Sequence, residues 1–303
     1  TQIASLLMVF TFVLYLLERA GRGRARYYQT QGTVRPYLPR KLRGWRALVA
    51  FGIVSFVIGI AFILPVIQLV IWVTTRLEYD YRYWEFLFNT LALGLMTATL
   101  AVGAAVVVAY GLRLSRSRAV AAFARLASMG YALPGSVIAV GVLAPLAFLD
   151  HTLDAFLQKT LGISSGLLLT GSMIGLVFAY LVRFLAVSFQ TLEASLVKIT
   201  PTMDMAGRSL GISTGGVLWR IHLPLIRRGL IAALILVFVD VMKEMPATLL
   251  LRPFGYDTLA IRVWQFTSES LWESAALPAL TIVVAGILPV LVLVKGHSRL
   301  FQR

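Results

Sequence analysis

Three charges fall within five positions of an otherwise apolar stretch: Asp240, Lys243 and Glu244. The 3.6-residue period of a helix sets Asp240 beside both of the others. Inside a bilayer such charges are costly, so they must face protein or a water-filled path and pair, most simply Lys243 with Asp240 or Glu244. Carboxylate oxygens suit hard cations, which makes this trio a candidate stretch of translocation path. A buried ion pair bracing the chain at Pro246 satisfies the same constraints, and the residues alone leave both readings open. Other chemistry is thinly supplied. There is no cysteine and only three scattered histidines, so no thiolate chemistry and no metal site are expected. No Ser/His/Asp array and no G-x-x-x-x-G-K-[S/T] loop occurs, so no catalytic residue and no bound cofactor is expected on this chain.

A second constellation lies in residues 190–228. Thr200-Pro201 reads as a helix start, with Thr as N-cap and Pro in the first turn. Asp204 follows in that first turn, where the helix dipole favours an anion. Gly211 should stop the short helix, Ser213 can cap another, and Pro224 opens the next apolar run. The expected product is a helix-turn-helix outside the membrane.

The elements that must carry these residues are membrane helices. Hydrophobic residues make up 59% of the 303 and charged residues 14%, against roughly 45–50% and about 25% in soluble domains. Seven apolar runs, at about 1–17, 47–73, 87–112, 131–149, 167–189, 229–251 and 277–295, are each long enough to cross as a helix, and their continuity excludes barrel strands. The net charge of +15 would suggest nucleic acid on a soluble protein, but its distribution follows topology instead. Segments 18–46, 113–127, 190–228 and the tail from Lys295 carry nine, four, five and three Lys/Arg, whereas 74–86, 150–166 and 252–276 carry two, one and two. The basic set therefore faces the cytoplasm, and the expected partner is the lipid bilayer, not nucleic acid. Residues 18–46, polar and broken by Gly and Pro, read as a linker between the first run and a six-span unit over 47–303.

Four further features have local readings. Arg183, about 9 Å from the end of its expected span, can snorkel to the interface. Gly171 and Gly175 form a small-xxx-small pair suited to helix packing. Pro134-Gly135 should bend its span. Leu259, Val263, Phe266 and Ser270 share one face of an expected interfacial helix.

The run Asp204, Met205, Ala206, Gly207, Gly211, Ile221, Leu223, Pro224 resembles the EAA loop of ATP-binding-cassette (ABC) importer permeases: the Gly, Ile, Leu and Pro spacings match, while Met205 stands at the Glu position and Gly207 at the second Ala. Tyr131-Ala-Leu-Pro-Gly-Ser136 and the run Asp240 to Phe254 are similar to stretches in ferric-iron importers. The resemblance implies an all-α polytopic helical bundle, the MetI-like transmembrane domain of type I ABC importers, in the bacterial inner membrane. It implies a cytoplasmic ATPase dimer, docked on the loop and holding ATP and Mg, and a periplasmic ferric-iron-binding protein, for which 252–276 is a docking candidate. Because those permeases are fused doubles, it implies that 1–17 ends a preceding permease half, or that a second copy completes the path. Permeases for sulfate, thiamine or polyamines are the alternative within the class, and a gradient-driven secondary transporter lies outside it.

Overall fold

The computed structural model describes residues 42–76, 80–115 and 117–298, together with Val9, Phe10, Val13 and Leu17. The expected span 1–17 and most of the linker 18–46 therefore lie outside the described residues. The chain divides into two units, Thr1–Arg76 and Leu77–Arg303.

In the first unit, α1 runs from Trp45 to Thr75 with no buried residue. Its length, about 46 Å at 1.5 Å per residue, exceeds the bilayer core. One π turn, Gly59–Ile63, interrupts it, and Pro65 follows two residues later. A proline ring clashes with the carbonyl four residues before it. Here that residue is Ala61, and the wider π turn carries it out of the way.

Every regular element among the described residues of the second unit is a helix. Its elements are α2 (Tyr83–Leu114), α3 (Arg118–Ala127), α4 (Gly135–Leu161), α5 (Met173–Leu196), α6 (Pro201–Ser209), α7 (214–242), α8 (Pro246–Leu251), α9 (Leu259–Ser268) and α10 (Ala276–Ser298). Helices α1, α2, α4 and α5 are long and apolar enough to cross a membrane by length and composition. Helix α7, of similar length, carries Arg227, Arg228 and Asp240, and α10 is apolar over Ala276–Leu291. The molecule is an all-α, multi-pass membrane protein.

Helices α2, α5 and α7 pack together as the centre of the unit. Small residues allow the approach. A Cβ on Gly229 of α7 would overlap the Ser195 side chain of α5, and one on Gly94 of α2 would press on Phe238 of α7 at 3.0 Å. Two apolar cores result, one around Leu93, Tyr180, Phe184 and Val237, the other around Ala105, Leu192, Ile226 and Ala233.

Several expected boundaries move. Helix α4 continues through the expected loop at 150, and Asp150, fully buried, accepts the N–H groups of Leu168, Leu169 and Thr170 at 2.7–3.1 Å. One turn on, Asp154 accepts from Ser164, Ser165 and Gly166. The two carboxylates latch the following loop onto the helix end. Gly171 lies in that loop with φ +72, outside any helix, while Gly175 packs on the Leu169 carbonyl and on Leu146 of α4, so only the second glycine of the pair serves a helix contact. Pro134 occupies the N-cap position before α4 and starts the helix instead of bending it. Helix α9 packs on α2 and α10, with Leu259 fully buried, and Ser270 falls beyond it in a left-handed turn.

Candidate functional site

Two sites carry the chemistry singled out in the sequence. The first is residues 200–224. Helix α6 starts with Pro in its first turn, Thr200 at the N-cap, and ends before Gly211, whose φ of +76 is the left-handed conformation that glycine adopts without strain. Ser213 caps the next helix, its hydroxyl accepting the Gly216 N–H. That helix is not a separate short piece. It passes through a π turn, Leu218–His222, directly into Leu223–Met242, so the expected second helix of the loop and the following span are one element. Pro224 again follows the π turn by two residues, with Arg220 in the widened turn four residues before it.

The structure brings the motif residues together. Gly207 is buried, and a Cβ there would meet Ile221 Cδ1 at 3.0 Å and Val217 Cγ2 at 3.1 Å. The small residue thus lets α6 lie against the start of α7. Asp204 turns inward to a group that the sequence did not reveal. Its Oδ2 accepts from Arg113 at 2.9 Å, and its Oδ1 meets His222 Nε2 at 2.5 Å. Arg113 also donates to the Leu196 and Ile199 carbonyls, which caps the end of α5. Tyr110 donates to the Thr214 carbonyl. Met205 and Ala206, in contrast, are exposed, and Leu223 is partly so.

The second site surrounds the end of α7. The helix stops at Met242, the chain turns through Lys243 and Met245, and Pro246 opens α8. This break separates the two carboxylates that regular helical geometry would have stacked. Asp240 stays on the helix and pairs with Lys243 at 2.8 Å, while Tyr131 donates to its other oxygen. The Lys243 side chain remains 61% exposed. Glu244 swings into the unit, where it is 7% exposed and pairs with Arg183 at 3.2 Å. Arg183 also donates to the Leu133 carbonyl at 2.8 Å and lies over the rings of Tyr131 and Phe184. Gly135 makes room, since a Cβ there would overlap Glu244 Oε1.

Arg183 therefore does not snorkel. Helix α5 continues to Leu196, seven residues past the expected span end, which sets Arg183 about 15 Å from one end and about 20 Å from the other. At that depth the carboxylate of Glu244 is the available partner. Among the described residues, no group of three or more His, Cys, Asp or Glu is placed to hold a metal ion.

No protein-family model matches the chain. It is 30% identical over 299 residues to the Fe(3+)-transport system permease protein FbpB 2 of Haemophilus influenzae, covering 97% of this chain and 56% of that protein. Over 125 residues it is 30% identical to the putative 2-aminoethylphosphonate transport system permease protein PhnV of Salmonella paratyphi A, covering 41% and 46%. The chain thus spans about half the length of the curated relatives it matches. It superposes on a chain of a bacterial alginate ABC transporter, crystallised with an alginate pentasaccharide-bound periplasmic protein, with a TM-score of 0.65 at 14% identity, over 82% of this chain and 92% of that one. A bacterial ABC transporter involved in the import of the acidic polysaccharide alginate gives 0.64 at 14% identity, over 84% and 94%.

Proposed function

We infer that this chain, which has the fold of ABC-transporter membrane chains and a homologue among iron-transport permeases, is a permease component of an ABC importer and not an enzyme. Its cargo is ferric iron, moved from the periplasm through the bacterial inner membrane. The observation that carries this is the joint one: homology to an iron-transport permease along nearly the whole chain, with the EAA-like residues folded into a small-residue contact at the basic end of the bundle.

In this reading the basic loops face the cytoplasm, and residues 200–224 dock an ATPase dimer that holds ATP and Mg. The opposite end, with the latched loop 162–172 and α9, receives an iron-binding protein. Residues 1–17 end a preceding permease half, 18–46 link the halves, and 47–303 form the second. Arg183–Glu244 is the structural brace. Lys243 and Tyr131, polar and open at mid-depth, and the part-buried Asp240 that both engage, face the path between the halves, since lipid there would leave them unsolvated.

The test is reconstitution of the complete permease with its ATPase and binding protein in vesicles, loaded in parallel with ferric iron and 2-aminoethylphosphonate. ATP-dependent uptake of iron alone is expected. Uptake of the phosphonate alone would move the cargo to the second relative's substrate, and uptake without ATP would return the chain to the secondary transporters.

A further inference from the structure

Resting on the reading of residues 200–224 as the ATPase dock, we propose that the acid of this loop is an internal anchor, and that the surface offered to the ATPase is an apolar patch rimmed by cations, so that the groove it fits is apolar with an acidic rim.

Asp204 is the only acidic residue between Val197 and Arg228. Both of its oxygens are engaged inside the chain, one by Arg113 and the other by His222, which is itself buried. Arg113 is fixed in turn by two carbonyls at the end of α5. Turning Asp204 outward to a partner would strand a guanidinium and a buried imidazole, the asymmetry that makes breaking such clusters costly. The carboxylate therefore positions α6 and makes no contact with the ATPase.

What faces outward is different in kind. Met205, the next residue, is 62% exposed, and Met203, Leu210 and Trp219 are open as well. Large apolar side chains left open on both flanks of α6 and at the start of α7, beyond the membrane spans, mark an interaction surface, and methionine is the side chain best able to fill an irregular groove. In the same segment Lys198, Arg208, Arg220, Arg227 and Arg228 are all exposed. These cations, hydrated while the loop is free, would be matched by carboxylates on the partner, and complementary charge at a rim sets orientation and association rate.

The test uses the complete permease with its ATPase. Met205→Glu places a carboxylate where this groove offers no cation, so retention of the ATPase on the purified permease should fall about tenfold, whereas Met205→Leu should retain it fully. This chain contributes no cysteine, so Met205→Cys can be followed by maleimide labelling, and the ATPase should protect it. Asp204→Asn should act before any partner arrives, raising trypsin cleavage after Arg208 several-fold in the ATPase-free permease. Full or tighter retention by Met205→Glu would overturn the groove chemistry. Protection of Met205→Cys by anionic vesicles alone would make the patch a lipid surface and overturn the proposal. Cleavage unchanged by Asp204→Asn would overturn the anchor. Failure of the unaltered permease to retain any ATPase would overturn the reading of the loop as the dock, a result distinguishable from all of these.

Discussion

The two acids at the end of α7 have separate fates, and their variants should differ. Glu244→Gln leaves the Arg183 guanidinium without its carboxylate in a nearly buried site, at roughly 3–5 kcal/mol. Low yield and a lowered melting temperature are expected, partly restored when Arg183→Met is added, because the pair is then removed as a unit. Lys243→Met should instead leave yield and ATPase association intact and change the uptake rate, since that side chain is open and its partner Asp240 keeps Tyr131. Loss of complex in this variant would assign Lys243 to the brace. The Asp240–Lys243 pair was legible in the sequence because both members lie within one helical turn. The partners of Glu244 and Asp204 were not. Arg183 and Arg113 stand 61 and 91 positions away, and a lone arginine at a span end looks the same whether it marks topology or meets an acid.

At the level of elements, capping chemistry was the reliable guide. Pro201, Gly211 and Ser213 begin and end helices where ring, backbone freedom and side chain require it, whereas Thr200 holds the N-cap position with its hydroxyl turned to Thr202 and no side-chain bond to the helix. Helix lengths were less legible, because polar residues at the ends of α4 and α5 resemble loop while their neighbours hold them helical. Asp150 is the clearest instance, a carboxylate that fails any hydropathy criterion and yet sits fully buried by accepting three backbone N–H groups. The seam between α6 and α7 gives the sharpest prediction. Gly207→Trp cannot fit against Val217 and Ile221, so α6 must swing away, and binding-protein-stimulated ATP hydrolysis should be lost while membrane insertion persists. Gly207→Ala, meeting the same atoms at 3.0 and 3.1 Å, should be milder. Normal stimulation in the Trp variant would show that the seam does not couple.

For the whole molecule, the uneven distribution of Lys and Arg is a statement about two sides of a membrane. Single cysteines at Ser165 and Ser209, introduced into the complete permease, should report opposite sides to a membrane-impermeant maleimide in intact cells, with Ser165→Cys labelled from outside and Ser209→Cys protected. The reverse pattern would invert the topology. The composition and the apolar runs made a helical membrane bundle legible at once, since no soluble fold hides so much continuous apolar sequence. The break between α7 and α8 was only hinted at by Pro246, because whether a proline kinks a helix or restarts it depends on what packs around it.

The π turn at Leu218–His222 has a consequence for alignment about an axis. A π turn holds one residue more than an α turn, and each residue of a helix advances the bearing of everything before it by about 100°. Removing one residue from the turn, for example Leu218, would keep the composition and the apolar span of α7 but rotate Ser213, Val217 and the attached α6 around that axis. The proposed docking face would then point sideways, like a key cut correctly but seated about a third of a turn off. Such a deletion variant should insert and reach normal yield, yet fail to hold the ATPase. If it holds the ATPase normally, the bearing of the loop is set by the partner and not by the helix that carries it.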